Sequence, residues 1–150
     1  MQTSRELGIR PTLSLSERQL ARKVLSETKT EGTARKRTDF CLEEFCAREE
    51  VWVNFDKHGL VAWYDSKSEC DIVPIWPCQA SAEASRKSTS DEAVPVPIDD
   101  FIDEILASLS EDDFSVSIFP VAGMDFEIMS AEELLGAIAS KWATFAKSLR

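Results

Sequence analysis

The sequence predicts an α+β domain with a mostly antiparallel sheet of about five strands covered by helices, and three observations carry that expectation. Apolar residues recur at helical spacing near both ends of the chain, while the middle holds β-branched and aromatic runs bounded by turn residues. Helices and strands follow one another in blocks, without the regular alternation of a βαβ repeat. A length of 150 residues with 43% apolar side chains suffices for one core without disulfide or metal staples.

Residues 14 to 27, SLSERQLARKVLSE, put Leu20, Val24 and Leu25 on a helical face, with Ser16 and Gln19 spaced as a capping box. The stretch TKTEGTARKR that follows is polar and basic, as a solvated linker would be. The expected division is therefore a helix and linker over 1–37 and a single α+β domain over 38–150. Thr38 or Asp39 can cap the next helix, whose apolar contacts are Phe40, Leu42, Phe45 and Cys46.

VWVNF, the turn DKHG and LVAWYD predict a hairpin, because both arms are rich in β-branched and aromatic residues and Gly59 ends the connection. CDIVPIW predicts a third strand, in which Pro74 argues for an edge position or a bulge and Pro77 for a stop. QASAEASRK suits a short helix, and KSTSDEAVPVP reads as a loop. From Asp99, DDFIDEILASLSEDD sets Ile102, Ile105, Leu106 and Leu109 at helical spacing with Asp99, Asp100, Asp103 and Glu104 pointing mainly outward. FSVSIFP predicts a strand ending at Pro120, and DFEIM its hairpin partner after the turn VAGM. Ser130 and Glu133 form a second capping box at the head of a long last helix, with Leu134, Leu135, Ile138, Trp142, Phe145 and Leu149 as its apolar stripe.

The stretch EEVWVNFDKHGLVAWYDSKSECDIVPIWP, then VPVPIDDFIDEILASLSEDDFSVSIFP, then SAEELL, resembles a bacterial family of small uncharacterised proteins, domain of unknown function 2750. The resemblance runs from about Phe40 to Leu135 and rests on the order of the VW pair, the VPIWP stop, the acidic helix and the strand ending in FP. It implies a small cytoplasmic bacterial domain and brings no catalytic residues to transfer.

Charge is distributed one-sidedly. The net charge is −10, and from Asp91 to Glu133 there are 13 Asp or Glu and no Lys or Arg. Such a surface repels phosphate backbones and anionic headgroups, so neither nucleic acid nor membrane is an expected partner, and a charged partner should be basic. The basic run Ala34 to Arg37 is too short to reverse that expectation. The N-terminus has no signal-like apolar region and no stretch of 18 apolar residues occurs, which predicts a cytoplasmic protein with its four cysteines reduced.

No catalytic motif stands out. The single histidine, His58, falls in the hairpin turn, where a general base would be poorly held. Cys41 and Cys46 lie about 140° apart around a helix, which does not suit one zinc ion. SEDD lacks the calcium-loop pattern, so no metal and no cofactor are expected. Trp52, Trp63, Tyr64 and Trp76 fall in predicted strands, where alternation sets Trp52 opposite Val51, Val53 and Phe55 and leaves a tryptophan exposed unless both faces are covered.

Asp99, Asp100, Asp103 and Glu104 lie in the first turns, where the helix dipole explains them, whereas Glu111, Asp112 and Asp113 stand at the end where it disfavours anions, unless they have already turned out of the helix. The functional expectation is a non-enzymatic protein-binding module of the immunity or antitoxin kind. Its partner-binding residues would be Asp103, Glu104, Glu111, Asp112 and Asp113. The alternative is a small-ligand protein or an enzyme of unknown reaction with a reactive cysteine, Cys78, near a helix start.

Overall fold

The computed structural model of the protein describes residues 33–148, so the helix expected over 14–27 and Leu149 at the end of the last stripe lie outside the described residues. The chain opens with α1 (Thr33–Arg48), then β1 (Glu50–Asp56), β2 (Gly59–Leu60), β3 (Trp63–Asp65) and β4 (Cys70–Ile75). A short α2 (Gln79–Ala84) leads to β5 (Glu92–Pro97). Next comes α3, continuous through Ile98–Asp100, the π-helical Phe101–Leu106 and Ala107–Asp112. Then β6 (Ser115–Ile118), β7 (Glu127–Ser130) and α4 (Ala131–Ser148) complete the order.

Helix α1 begins at Thr33, ahead of the expected cap at Thr38 or Asp39, so residues 33–37 are helical rather than linker. The reason lies in tertiary contacts. Arg37 is fully buried, its Nε donating to the Phe119 carbonyl at 3.3 Å and its Nη1 reaching the Met124 sulfur at 3.8 Å. Burial lowers its pKa, and Asp125 opposes that shift only in part. Thr38 is buried beside it.

The α+β class holds, but the strands among the described residues number seven and form two sheets, β2–β1–β5 and β3–β4–β6–β7. All pairings are antiparallel except β4 with β6. The hairpin forms with Asp56 opposite Gly59 and Phe55 opposite Leu60. Its second arm then leaves: Val61 still donates to the Asn54 carbonyl at 2.9 Å, and Trp63–Asp65 pairs with β4 instead. Trp52 and Trp76 exchange both backbone hydrogen bonds, at 3.0 and 2.9 Å, and close the two sheets against each other.

EAVPVP, expected as a loop, is the edge strand β5, with Pro95 opposite Trp52 and Val96 opposite Val51. Backbone groups alternate in direction, and Trp52 directs its own toward Trp76, so Val94 and Val96 face β1 while Pro95 and Pro97 turn their missing donors to the open side. Pro74 is not at a sheet edge, since β4 lies between β3 and β6. It is nonetheless spared a ladder bond: β3 pairs only up to Ile72 and β1 joins only at Trp76.

Alternation assigns the two faces. Val51, Val53, Val73, Ile75, Val116 and Ile118 point to the layer of α1, α3 and α4 and make up most of the core. Trp52, Asn54, Ile72 and Trp76 point the other way, where Asn54 Nδ2 donates to the Ala82 carbonyl of α2 at 3.2 Å. Both faces of β1 are covered, so Trp52 is 8% exposed and Trp76 0%.

Helix α3 follows the expected span with a different phase. In its π-helical middle, Phe101 and Leu106, five apart, share the buried face with Leu109, while Ile102 and Ile105 move to partly buried positions. Its end is a Schellman turn: Asp113 takes φ +64°, Phe114 N–H donates to the Leu109 carbonyl at 2.9 Å and Asp113 N–H to that of Ser110 at 3.4 Å. Helix α4 starts at the expected capping box, with Ser130 N–H to Glu133 Oε1 at 2.9 Å and Glu133 N–H to Ser130 Oγ at 3.1 Å.

A desolvated guanidinium costs several kcal/mol, whereas a hydrogen bond to a charged group contributes about 1.5–3 kcal/mol. Arg37→Met, which keeps the stem, should therefore leave urea stability within about 1 kcal/mol of wild type, while Arg37→Ala, which opens a cavity, should lower it by about 2–4 kcal/mol. At the left-handed cap, Asp113→Gly should raise stability by about 0.5 kcal/mol in the same measurement, because glycine adopts positive φ without a Cβ penalty.

Candidate functional site

The expected partner-binding residues do line α3, though they do not converge on a point. Asp103 and Glu104 are exposed on its π-helical stretch, and Glu111 and Asp112 are exposed in its last turn. Asp113 is exposed too, but its left-handed cap gives it a structural reason to be Asp, which tolerates that backbone. Glu132 of α4 joins this end, accepting a 2.6 Å hydrogen bond from Ser110 Oγ that holds its carboxyl below the usual range. Among the described residues no group of three or more His, Cys, Asp or Glu is placed to hold a metal ion. No helix among them is long and apolar enough to cross a membrane.

At the start of α3, beside Asp103 in sequence, lies an apolar groove that the sequence pattern did not single out. It occupies about 340 Å³ between the start of α3 and the middle of α4, with Ile98, Ile102, Leu135 and Trp142 as its main apolar walls and Glu49 and Asp99 at its rim. Leu135 and Trp142 are each 43% exposed, and Trp142 stacks on Phe145 with ring centroids 5.9 Å apart. The expected single stripe of α4 is in fact two. Ala131, Leu134 and Ile138 are buried, whereas Leu135, Ala139 and Trp142 recur at i, i+4 and i+7 along the groove. That second stripe was the available signal.

The hairpin aromatics are mostly internal. Trp52 Nε1 donates to Glu50 at 2.7 Å, Trp76 Nε1 donates to the Pro120 carbonyl at 3.0 Å, and Tyr64 alone of that group is well exposed, at 66%. The exposed tryptophan is thus Trp142, on a helix. His58 is exposed in its turn, its N–H bonded to Asp56 Oδ1 at 2.7 Å.

Cys78 precedes α2, as anticipated, but is 3% exposed and its sulfur sits 3.2 Å from Ser81 Oγ. Cys41 is buried nearby, and burial, reinforced by Cys78 and Glu44, pushes its thiol pKa well up. Burial also raises that of Cys46, which Lys141 only partly offsets. All four thiols are free. Thiolate exposure governs labelling, so the partly exposed Cys70 should react first with a maleimide at neutral pH, and Cys41, Cys46 and Cys78 only on unfolding. Mass spectrometry after limited labelling distinguishes this from an activated Cys78.

No curated protein and no solved structure matches this chain. The sequence model of one family, described as "Protein of unknown function (DUF2750)", matches residues 38–138, from the second turn of α1 to Ile138 on the buried face of α4. The match contains every strand, the acidic helix and the groove walls Ile98, Ile102 and Leu135, and the chain belongs to the DUF2750 family.

Proposed function

We propose that this protein acts by binding another protein through the α3–α4 face, and that the partner presents a basic amphipathic helix. The observation that carries this reading is the adjacency of an open apolar groove, walled by Ile102, Leu135 and Trp142, to the exposed carboxylates of α3. Exposed Trp at a groove is the residue type that anchors interfaces, and the acids around it supply complementarity to a cationic rim. The stretch from Asp91 to Glu133 itself contains no Lys or Arg. An apolar helix face would enter the groove, and its flanking Lys or Arg would meet Asp103, Glu104, Glu111 and Asp112.

A non-enzymatic cytoplasmic module of the immunity or antitoxin kind, holding a basic toxin, fits this chemistry. Dense acid on one face speeds encounter with a basic protein, and the apolar groove then slows release. The buried Cys78 and the turn position of His58 offer no comparable support for a thiol-based reaction.

An 18-residue Leu/Lys amphipathic peptide serves as the probe, with a Leu/Glu peptide of the same pattern as control. The Leu/Lys peptide should bind, shift the Trp142 indole signal and associate more slowly as salt rises; the Leu/Glu peptide should not bind. Reversing Asp103, Glu104, Glu111 and Asp112 to Lys should slow association about tenfold or more at low salt without unfolding the protein. Asp113 is left in place because it caps α3. An unchanged on-rate in the reversed variant, or an unmoved Trp142 signal, would refute the proposal.

A further inference from the structure

We propose that a second site, on the opposite face of the sheet, binds small organic anions that carry a flat apolar body. It is a cleft of about 670 Å³ formed where α2 leaves that face uncovered, between β3, residues 84–87 and the β6–β7 connection, and it shares no residue with the α3–α4 groove. Trp63, Ile72, Met124 and Phe126 make its apolar wall.

The charge at the cleft runs against the rest of the second half of the chain. Arg86 and Lys87 are the only basic residues between Lys67 and Lys141, and both line it. Lys87 Nζ lies 4.5 Å from the centroid of the Trp63 ring, so an anion paired with Lys87 is delivered to an aromatic face. Arg86 is pre-ordered, with Nε donating to the Glu83 carbonyl and Nη1 to that of Asp91, each at 3.2 Å, which leaves Nη2 for a ligand. The cleft's one carboxylate, Asp65, is turned to its own loop, accepting bonds from Ser68 N–H at 3.0 Å and Ser68 Oγ at 2.6 Å.

The Trp63 indole N–H is shielded from solvent and has no hydrogen-bond acceptor among the described residues, an arrangement that costs free energy unless something accepts from it. Trp52 and Trp76 both have acceptors, so Trp63 differs from its neighbours in the sheet. The wall of the cleft is also firm: Ser85 Oγ and Trp76 Nε1 both donate to the Pro120 carbonyl, at 3.3 and 3.0 Å, and hold the β6–β7 connection against α2. Two cations beside an aromatic wall, with Lys87 over the Trp63 ring, select a carboxylate or similar anion borne on a planar apolar group.

The test uses one aromatic body with three charges: 1-naphthoate, 1-naphthalenemethanol and 1-naphthylmethylamine, titrated into the protein with its four tryptophan indole N–H signals followed by NMR. 1-Naphthoate should shift Trp63 saturably, leave Trp142 in place and bind about fivefold more tightly than the alcohol, the scale of one partly exposed ion pair, with the amine weakest. Lys87→Met should remove the preference for naphthoate over the alcohol, and Lys87→Arg should keep it; Lys87 is exposed, so neither change disturbs the core. Equal affinity for the three ligands, a shift confined to Trp142, or no saturable shift at Trp63 would overturn the assignment. The ligand series on the unaltered protein decides the matter independently of the variants.

Discussion

The backbone at Phe119–Pro120 is the constraint on which the rest of the structure depends. Phe119 has φ +47°, a left-handed conformation that bulky residues avoid and that costs on the order of 1–3 kcal/mol, and the proline after it narrows its options further. It persists because the surroundings over-determine it. Phe119 N–H donates to Ile75, its carbonyl accepts from Arg37, and the next carbonyl accepts from Trp76 and Ser85. Three separate pieces of chain, α1, the end of β4 with Trp76, and the end of α2, are thereby tied to one turn. The parallel β4–β6 pair continues into it, and one wall of the cleft emerges from it.

The same turn explains why the sheet has two unlike faces. Arg37 reaches it from the side of the helix layer and Trp76 from the opposite side, so the connection from β6 to β7 crosses between them. On the helix side, α1 and α4 meet closely enough for Lys141 to pair with Glu43 at 3.7 Å, and α4 lies between α1 and α3. On the other side, among the described residues, a six-residue helix and a loop cover the strands. Acidic surface and apolar groove accompany the first face, and the paired cations of Arg86 and Lys87 accompany the second.

Much of the element order was legible because local chemistry and tertiary contacts agreed. The Ser130–Glu133 capping box formed as read, since both of its hydrogen bonds are made within four residues. The hairpin at Lys57–His58 and the span of α3 were legible for the same reason. Misreadings occurred where distant contacts outweighed local pattern. EAVPVP looked like a loop because its two prolines forbid a central strand, yet at an edge their missing donors face away from β1. ARKR reads as linker because three basic residues and an alanine carry no helical stripe, yet Arg37 is anchored 82 residues away at Phe119. Of the candidate site, the acids of α3 were legible as a charge run. The groove was not, because Leu135 and Trp142 read as core until α4 was seen to bury Leu134 and Ile138 instead.

By itself, then, the sequence determined the class of fold, the caps and turns, and an acidic surface on the second half of the chain. These follow from propensity, hydrogen bonds within a few residues and net charge, all of which are local or additive. Only the tertiary structure decided which apolar residues were left outside. The π-helical stretch of α3 rotated Phe101 and Leu106 inward and Ile102 to the groove, and the Trp52–Trp76 bridge joined the two sheets edge to edge while helices covered both faces of β1. Helical phase and strand partnership depend on the volume each face must fill, and that is set by segments far apart in the chain.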